Sequence, residues 1–222
     1  MKRLACVCMV LLIMGSTAMA KGISFGARGG LFSASITTIP RGWQNTSFKL
    51  GYSGGVFVNY AIDKNISLES EVLYVMKGTK GVIDYPNFHV DFTANYDYID
   101  IPIFVKYTLI PTGSFRPFVI FGPTVGINLT ADVDIEGQGF SGTIDYSKVT
   151  NTMEFGIVFG GGAGIPVGRG LITLDGRFNM GMSKIIKGGE IVYDFDGQRF
   201  TESIPEEETK NIGFALLLGY AF

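Results

Sequence analysis

Nine charged residues sit at alternate positions within apolar segments, a spacing that could build an ion or proton relay. Alternate residues of a β-strand point to the same face, so all nine would share one interior. Four positive and five negative charges nearly cancel, and mixed signs favour mutual pairing over a selective field. We therefore expect a paired, hydrogen-bonded polar plug, with the relay as the alternative. The residues are Arg28, Lys49, Glu69, Glu71, Asp100, Lys106, Glu154, Asp175 and Arg177.

A second set of oxygen-bearing side chains lies where the fifth apolar segment ends. Asp132, Asp134 and Glu136 alternate, so a strand would present all three on one face. Carboxylate oxygens suit Ca²⁺, and such acids could also share divalent cations with lipopolysaccharide phosphates. Solvated loop acids are the simpler interpretation. We favour it, and the sequence predicts neither a metal nor a cofactor.

The one histidine, His89, lies near Asp91 in a predicted loop. A hydrolase or acyl-transfer site centred on it would need a nucleophile, such as Ser141 or Ser183, and a carboxylate beside it. Nothing in the spacing of these residues brings them together. We therefore expect a histidine on a protruding loop and no enzymatic activity.

Eight segments in which apolar and polar residues alternate must position these side chains. Each segment is about long enough to cross a bilayer as a tilted strand. Short connections alternate with four long ones, near 36–47, 78–97, 134–151 and 184–209. The pattern predicts an all-β, eight-stranded, antiparallel up-and-down transmembrane barrel with short periplasmic turns and four long extracellular loops. The predicted strands are 23–34, 48–62, 66–77, 98–109, 115–133, 152–167, 171–183 and 212–222.

The first 20 residues indicate export. Lys2 and Arg3 precede an apolar core, 4–14, and Ala18-Met19-Ala20 has the small-residue cleavage pattern, so we predict a signal peptide at 1–20 and a barrel at 21–222. Both cysteines, Cys6 and Cys8, fall inside the removed segment. Without Lys2 and Arg3, 16 basic residues face 20 acidic ones, which excludes a nucleic-acid partner.

The mean hydropathy of +0.29 is typical of a membrane protein. No segment after residue 20 approaches the roughly 18 apolar residues of a spanning helix. A closed β-barrel is the remaining way through a bilayer.

Several strand sequences resemble a known family. These are Y-D-Y-I-D-I-P-I-F-V-K-Y at 96–107, E-V-L-Y-V-M-K-G at 71–78, R-P-F-V-I-F-G-P at 116–123 and D-G-R-F-N-M-G at 175–181. Together they resemble the outer-membrane protein β-barrel domain family of the Bacteroidetes type, which includes the PorT proteins and is similar to OmpX-like small barrels. The resemblance implies an outer-membrane location in a Gram-negative bacterium.

The last strand also resembles the C-terminal signal by which such barrels are recognised by the barrel-assembly machinery. That signal would consist of Leu216, Leu218, Tyr220 and Phe222. The resemblance implies that the assembly machinery is a partner, and it would place Phe222 in a periplasmic aromatic girdle.

We expect a non-enzymatic outer-membrane protein with a lumen filled by side chains. Its role would be structural or one of interaction through the extracellular loops, as an accessory to secretion or adhesion. The expected partners are outer-membrane lipid, lipopolysaccharide and an unidentified protein at the outer loops. Two alternatives stay open: a lipid-modifying outer-membrane enzyme, and a narrow pore or small-ligand carrier.

Overall fold

The regular structure is entirely β in the parts of the chain that the computed structural model describes, which are residues 22–38, 44–85, 88–137, 140–195 and 198–222. The predicted signal peptide lies outside these residues. No helix among them is long and apolar enough to cross a membrane. The strands are β1 (Ile23–Ile36), β2 (Gln44–Ala61), β3 (Ile66–Tyr85), β4 (Phe88–Thr108), β5 (Arg116–Gly137), β6 (Phe140–Asp145), β7 (Met153–Val167), β8 (Gly170–Gly181), β9 (Gly189–Phe195), β10 (Gln198–Ile204) and β11 (Asn211–Ala221).

Eight strands close into a barrel, as the sequence predicted. Each of β1, β2, β3, β4, β5, β7, β8 and β11 pairs antiparallel with a strand on either side, and the ring closes where β11 returns to β1. Closure satisfies the backbone groups that an open sheet would leave unpaired at its edges. Short turns connect β2 to β3, β4 to β5 and β7 to β8 at one end, which we call the turn end. The opposite end is the loop end.

The outer surface of the barrel is apolar. Leucine, valine, isoleucine and phenylalanine side chains that would be buried in a water-soluble protein are about half exposed, for example Leu216, Phe121 and Val105. Exposed tyrosines lie near both margins of this surface, with Tyr60 and Tyr107 towards the turn end and Tyr52 and Tyr74 towards the loop end. An apolar band between two aromatic girdles is the surface that a transmembrane barrel presents to lipid.

Three strands are much longer than the membrane requires. β3, β4 and β5 have 20, 21 and 22 residues, whereas about ten suffice to span a bilayer. Their loop-end halves continue as a paired sheet beyond the barrel, and β6 adds to it through β5. We call the loop-end part of β3, β4 and β5 together with β6 the projecting sheet. The sequence predicted long loops at 78–97 and 134–151, and most of these residues instead form paired strands.

A bulge separates the two halves of β5. Asp97 of β4 pairs with Thr130 and Tyr98 pairs with Asn128, so Leu129 has no partner on β4. One extra residue reverses which positions face inward. Below the bulge the even-numbered residues of β5 face the lumen, but beyond it Ala131 and Val133 are buried instead. Asp132, Asp134 and Glu136 therefore share the outer face of the projecting sheet.

Two neighbouring glycines in β2 test how closely the backbones of β2 and β3 approach each other on the inner face of the barrel. Gly55 faces inward opposite Leu73, and a Cβ there would overlap the Val72 carbonyl oxygen. A Cβ on Gly54, which faces outward, would approach no closer than 3.6 Å to another heavy atom. We expect Gly55→Ala to lower the free energy of unfolding by about 1–3 kcal/mol.

Gly54→Ala is the matched control, and we expect its stability to stay within about 0.5 kcal/mol of the wild type. Both are measured by urea unfolding of the refolded barrel in detergent micelles. Equal stability of the two variants would contradict the close strand contact at Gly55.

Candidate functional site

Six charged side chains from four strands meet in the turn-end half of the lumen. β1, β3, β4 and β8 project them inward because each lies at an inward position of its strand. We call them the six-charge cluster, and each is at most 8% exposed. They are Arg28, Glu69, Glu71, Lys106, Asp175 and Arg177.

Arg28 lies at the centre of this cluster. Its Nη2 donates to Glu69 Oε1 at 2.7 Å, and its Nη1 lies 2.8 Å from Glu71 Oε1 and 3.5 Å from Asp175 Oδ1. One guanidinium therefore contacts three carboxylates. Burial of any of these carboxylates without a cation would cost several kcal/mol, so the position of Arg28 organises the whole cluster.

Arg177 and Lys106 complete the pairing. Arg177 binds Glu71 through two parallel hydrogen bonds, Nη1 to Oε2 at 2.7 Å and Nη2 to Oε1 at 3.0 Å, and its Nε donates to Asp175. Lys106 Nζ donates to Glu69 Oε2 at 3.1 Å. Each of the three carboxylates thus contacts two cations, and three positive charges balance three negative ones.

Three of the luminal cations also form cation–π contacts with aromatic rings. Arg28 lies 4.1 Å from the centroid of the Phe57 ring, Lys106 lies 4.1 Å from that of Phe118, and Arg177 lies 4.9 Å from that of Phe104. The negative face of an aromatic ring attracts a cation most strongly where water is excluded. These rings therefore hold the charged groups in place and fill the space between them.

A second, smaller cluster lies nearer the loop end. Lys77 Nζ is 3.1 Å from Asp100 Oδ2 and 3.5 Å from Glu154 Oε1, and we call these residues the three-charge cluster. Asn211 Nδ2 donates to Glu154 Oε2 at 2.6 Å. Along the inner face of β3, Leu73 and Val75 stand between Glu71 and Lys77 and belong to a buried apolar group. The two charged clusters are therefore separated by an apolar layer.

Eight of the nine charged residues predicted to share the lumen do so, six in one cluster and Asp100 and Glu154 in the other. Lys49 joins neither cluster, because its Nζ donates to the Lys77 carbonyl oxygen at 3.2 Å. A register shift between Phe48 and Ser53 adds one residue to β2 relative to β3 at this point, although Phe48, Leu50 and Tyr52 remain exposed at alternate positions. Lys77 was omitted from the predicted network, although its parity in β3 had placed it inside.

Apolar side chains close the loop end above the three-charge cluster. This group, the cap core, consists of Ile36, Phe92, Ala94, Tyr96, Tyr98, Ala131, Val133, Ile185 and Ile186. Backbone hydrogen bonds tie the surrounding connections together, including Thr37 N–H to the Lys210 oxygen at 2.9 Å and Ile185 N–H to the Thr209 oxygen at 2.8 Å. Tyr146 packs against the cap core, and burial raises the pKa of its phenol to about 12.

The acids of the projecting sheet form hydrogen bonds within the protein. Asp134 accepts from Asn95 Nδ2 at 2.7 Å and from Thr143 Oγ1 at 2.6 Å. Burial and the nearby Asp145 raise the pKa of Asp132. The described residues contain no group of three or more His, Cys, Asp or Glu side chains suited to a metal ion.

The residues of the hypothetical hydrolase site are spread over β4, β6 and the connection that follows β8. His89 pairs with Asp84 at the tip of the β3–β4 hairpin, and its side chain is outside the described part of the structure. Ser183 Oγ accepts the backbone N–H of Phe155 at 2.9 Å, and Ser141 pairs with Glu136 in the projecting sheet. The described contacts do not assemble these residues into a nucleophile–base pair.

Removal of Arg28 tests the balance of the six-charge cluster. We expect Arg28→Met to lower the free energy of unfolding by about 3–5 kcal/mol, because three buried carboxylates lose a shared cation. Urea unfolding in detergent micelles measures the change. The double variant Arg28→Met with Glu69→Gln removes one charge of each sign and should recover part of the loss.

Lys184→Met is the control on an exposed ion pair. Hydrogen bonds to Glu206 and Glu208, at 2.8 and 2.6 Å, raise the pKa of Lys184, but solvent screens these contacts. We expect little change in stability from this variant. A loss at Arg28 no larger than that at Lys184 would contradict the central role of Arg28.

Known proteins with a similar structure or sequence identify the family of this barrel. Among the solved structures similar to this one are two outer membrane proteins with TM-scores of 0.50 or above. A major outer membrane protein from Thermus thermophilus is 12% identical with a TM-score of 0.52, and the match covers 90% of this chain and 98% of that chain. The outer membrane protein OprG from Pseudomonas aeruginosa is 11% identical with a TM-score of 0.50, covering 90% and 96%.

At these identities the likeness concerns the fold alone. A search among curated proteins found no match. The family model for the outer membrane protein beta-barrel domain matches residues 15–187, which is most of the chain. The protein therefore belongs to the outer membrane protein beta-barrel domain family, as a small barrel of the outer membrane of Gram-negative bacteria.

Proposed function

We propose that this protein is a non-enzymatic anchor that closes its own lumen and presents the projecting sheet for interaction with a partner protein at the cell surface. In outer-membrane barrels short turns face the periplasm and long loops face the exterior. The projecting sheet would then stand on the outside of the cell. Accessory roles in secretion or adhesion are compatible with this arrangement.

The observation that carries the proposal is the continuous filling of the lumen. A cavity of about 150 Å³ opens at the turn end and is lined by Lys106, Glu69 and Thr173 among others. Beyond the Glu69–Lys106 pair, two further cavities in the lumen have volumes of about 10 Å³ each. A cavity of this size holds about one water molecule. The clusters, the apolar layer and the cap core therefore favour an anchor over a pore.

The projecting sheet has the rigidity and the free edge expected of an interaction surface. Its outer face is cross-linked by hydrogen bonds, such as that from Asn95 Nδ2 to Asp134 Oδ2 at 2.7 Å. Within the described residues, β6 forms strand pairs only with β5. An exposed edge strand offers backbone groups to an added strand of another protein. This supports an interaction role at the sheet.

Conductance separates the anchor from the narrow pore. We expect the purified protein to show no steady conductance in planar bilayers, because the cap core and the six-charge cluster block a path for water. Lys106→Ala should not create one, since the cap core is untouched. Stepwise conductance in the wild type that changes in Lys106→Ala would favour the pore instead.

Co-purification from the native outer membrane in mild detergent tests the interaction role. We expect a stoichiometric protein partner that is lost in Asp132→Lys, on the projecting sheet, and retained in Lys184→Glu, on the neighbouring loop. Recovery of lipid alone would contradict the proposal. An activity on lipopolysaccharide or phospholipid that His89→Ala abolishes would replace it with the lipid-modifying enzyme.

A further inference from the structure

The charges inside the barrel do not balance completely. Among the described luminal residues, four cations, Arg28, Lys77, Lys106 and Arg177, face five carboxylates, Glu69, Glu71, Asp100, Glu154 and Asp175. The six-charge cluster is neutral by itself. The single excess negative charge therefore belongs to the three-charge cluster, where Lys77 faces both Asp100 and Glu154.

The two clusters also differ in how each carboxylate is surrounded. In the six-charge cluster every carboxylate contacts two cations within 3.5 Å. In the three-charge cluster Asp100 and Glu154 share Lys77 as their one cation in the described part of the chain. An uncompensated charge in a water-poor interior is strongly unfavourable. A second positive charge at this position would restore the pattern.

Uncommitted polar atoms surround the place where that charge would lie. Asp100 Oδ1, Thr124 Oγ1 and Asn211 Oδ1 are buried and have no hydrogen-bond partner within the described part of the chain, and their residues are 6%, 8% and 3% exposed. All three residues line one cavity of about 10 Å³ together with Lys77 and Glu154. The cavity admits a particle about the size of a water molecule.

We infer that the three-charge cluster is a binding site for a single alkali-metal cation such as sodium, held by oxygens of Asp100, Asn211 and Thr124. Hard cations prefer carboxylate, carbonyl and hydroxyl oxygens, and the cavity offers one of each. Lys77 occupies Asp100 Oδ2, so Asp100 Oδ1 is left for the ion. The inference is independent of the partner proposed for the projecting sheet.

The charge of the site selects among possible occupants. A monovalent ion neutralises the cluster, whereas a divalent ion would leave one positive charge in excess. Water could satisfy the uncommitted oxygens, but it would leave the negative charge unbalanced. Transition metals prefer nitrogen or sulfur ligands, and neither histidine nor cysteine lines this cavity.

The test compares unfolding in sodium chloride and choline chloride at equal ionic strength. Urea is the denaturant, because guanidinium is itself a monovalent cation. At a sodium concentration about ten times its Kd, we expect the unfolding equilibrium constant of the wild type to fall about tenfold relative to choline. An equal constant in both salts, over a titration of sodium, would overturn the inference.

Two variants show which cluster is responsible for the sodium dependence of unfolding. Asp100→Asn removes the excess charge, so it should unfold identically in sodium and choline. Glu71→Gln removes a carboxylate from the six-charge cluster, so it should be less stable yet keep the sodium dependence. Sodium dependence that persists in Asp100→Asn, or that disappears in Glu71→Gln alone, would place the ion elsewhere and overturn the assignment.

The position of the ion can also be measured directly in the wild-type protein, without any variant. Crystals of the wild-type barrel soaked in thallium(I), a monovalent heavy-atom probe, should show an anomalous peak between Asp100 Oδ1 and Asn211 Oδ1 that sodium displaces. Density that refines as water only, with no anomalous signal, would overturn the proposal.

Discussion

Closure of the sheet is the constraint on which the rest of this structure depends. A strand in lipid must pair every backbone N–H and C=O, and eight strands achieve this only as a ring. A ring of eight is narrow, so its interior is filled by side chains and holds little water. Any charge that the strand alternation turns inward must then find a partner there. The Arg28-centred cluster, the aromatic rings beside its cations and the apolar layer above it all follow from this restriction.

The barrel could be predicted from the sequence because its two faces have opposite requirements. The face in contact with lipid requires apolar residues, whereas the lumen accepts charged ones. Apolar and polar residues therefore alternate along each spanning segment of the sequence. The same parity predicted that Glu69, Glu71, Arg28 and Arg177 would meet. Parity could not give the partners, because the register between strands decides them. Nor could it show that Lys49 Nζ would donate to the Lys77 carbonyl oxygen instead of joining a charged cluster.

The loop end could be predicted only in part. The hairpins between β3 and β4 and between β9 and β10 lie within two of the four predicted long connections. The cap core was not predicted, since Ile36, Tyr96 and Ile185 are far apart in sequence and carry no common periodicity. Long-range contacts of this kind appear only once the strands are assembled. The C-terminal assembly signal, Leu216, Leu218, Tyr220 and Phe222, stays a prediction.

The bulge at Leu129 divides β5 into two halves that obey different rules. On the membrane side odd-numbered residues meet lipid, while on the far side even-numbered residues meet water. The strand thus undergoes a phase shift, comparable to a dislocation in a crystal lattice, at the level where its surroundings change. Loss of this one residue would make the ladder with β4 continuous, and Asp132 and Val133 would stay opposite Asn95 and Ala94. The alternation of β5 therefore consists of two segments of opposite phase in the sequence, although both lie on one ladder with β4.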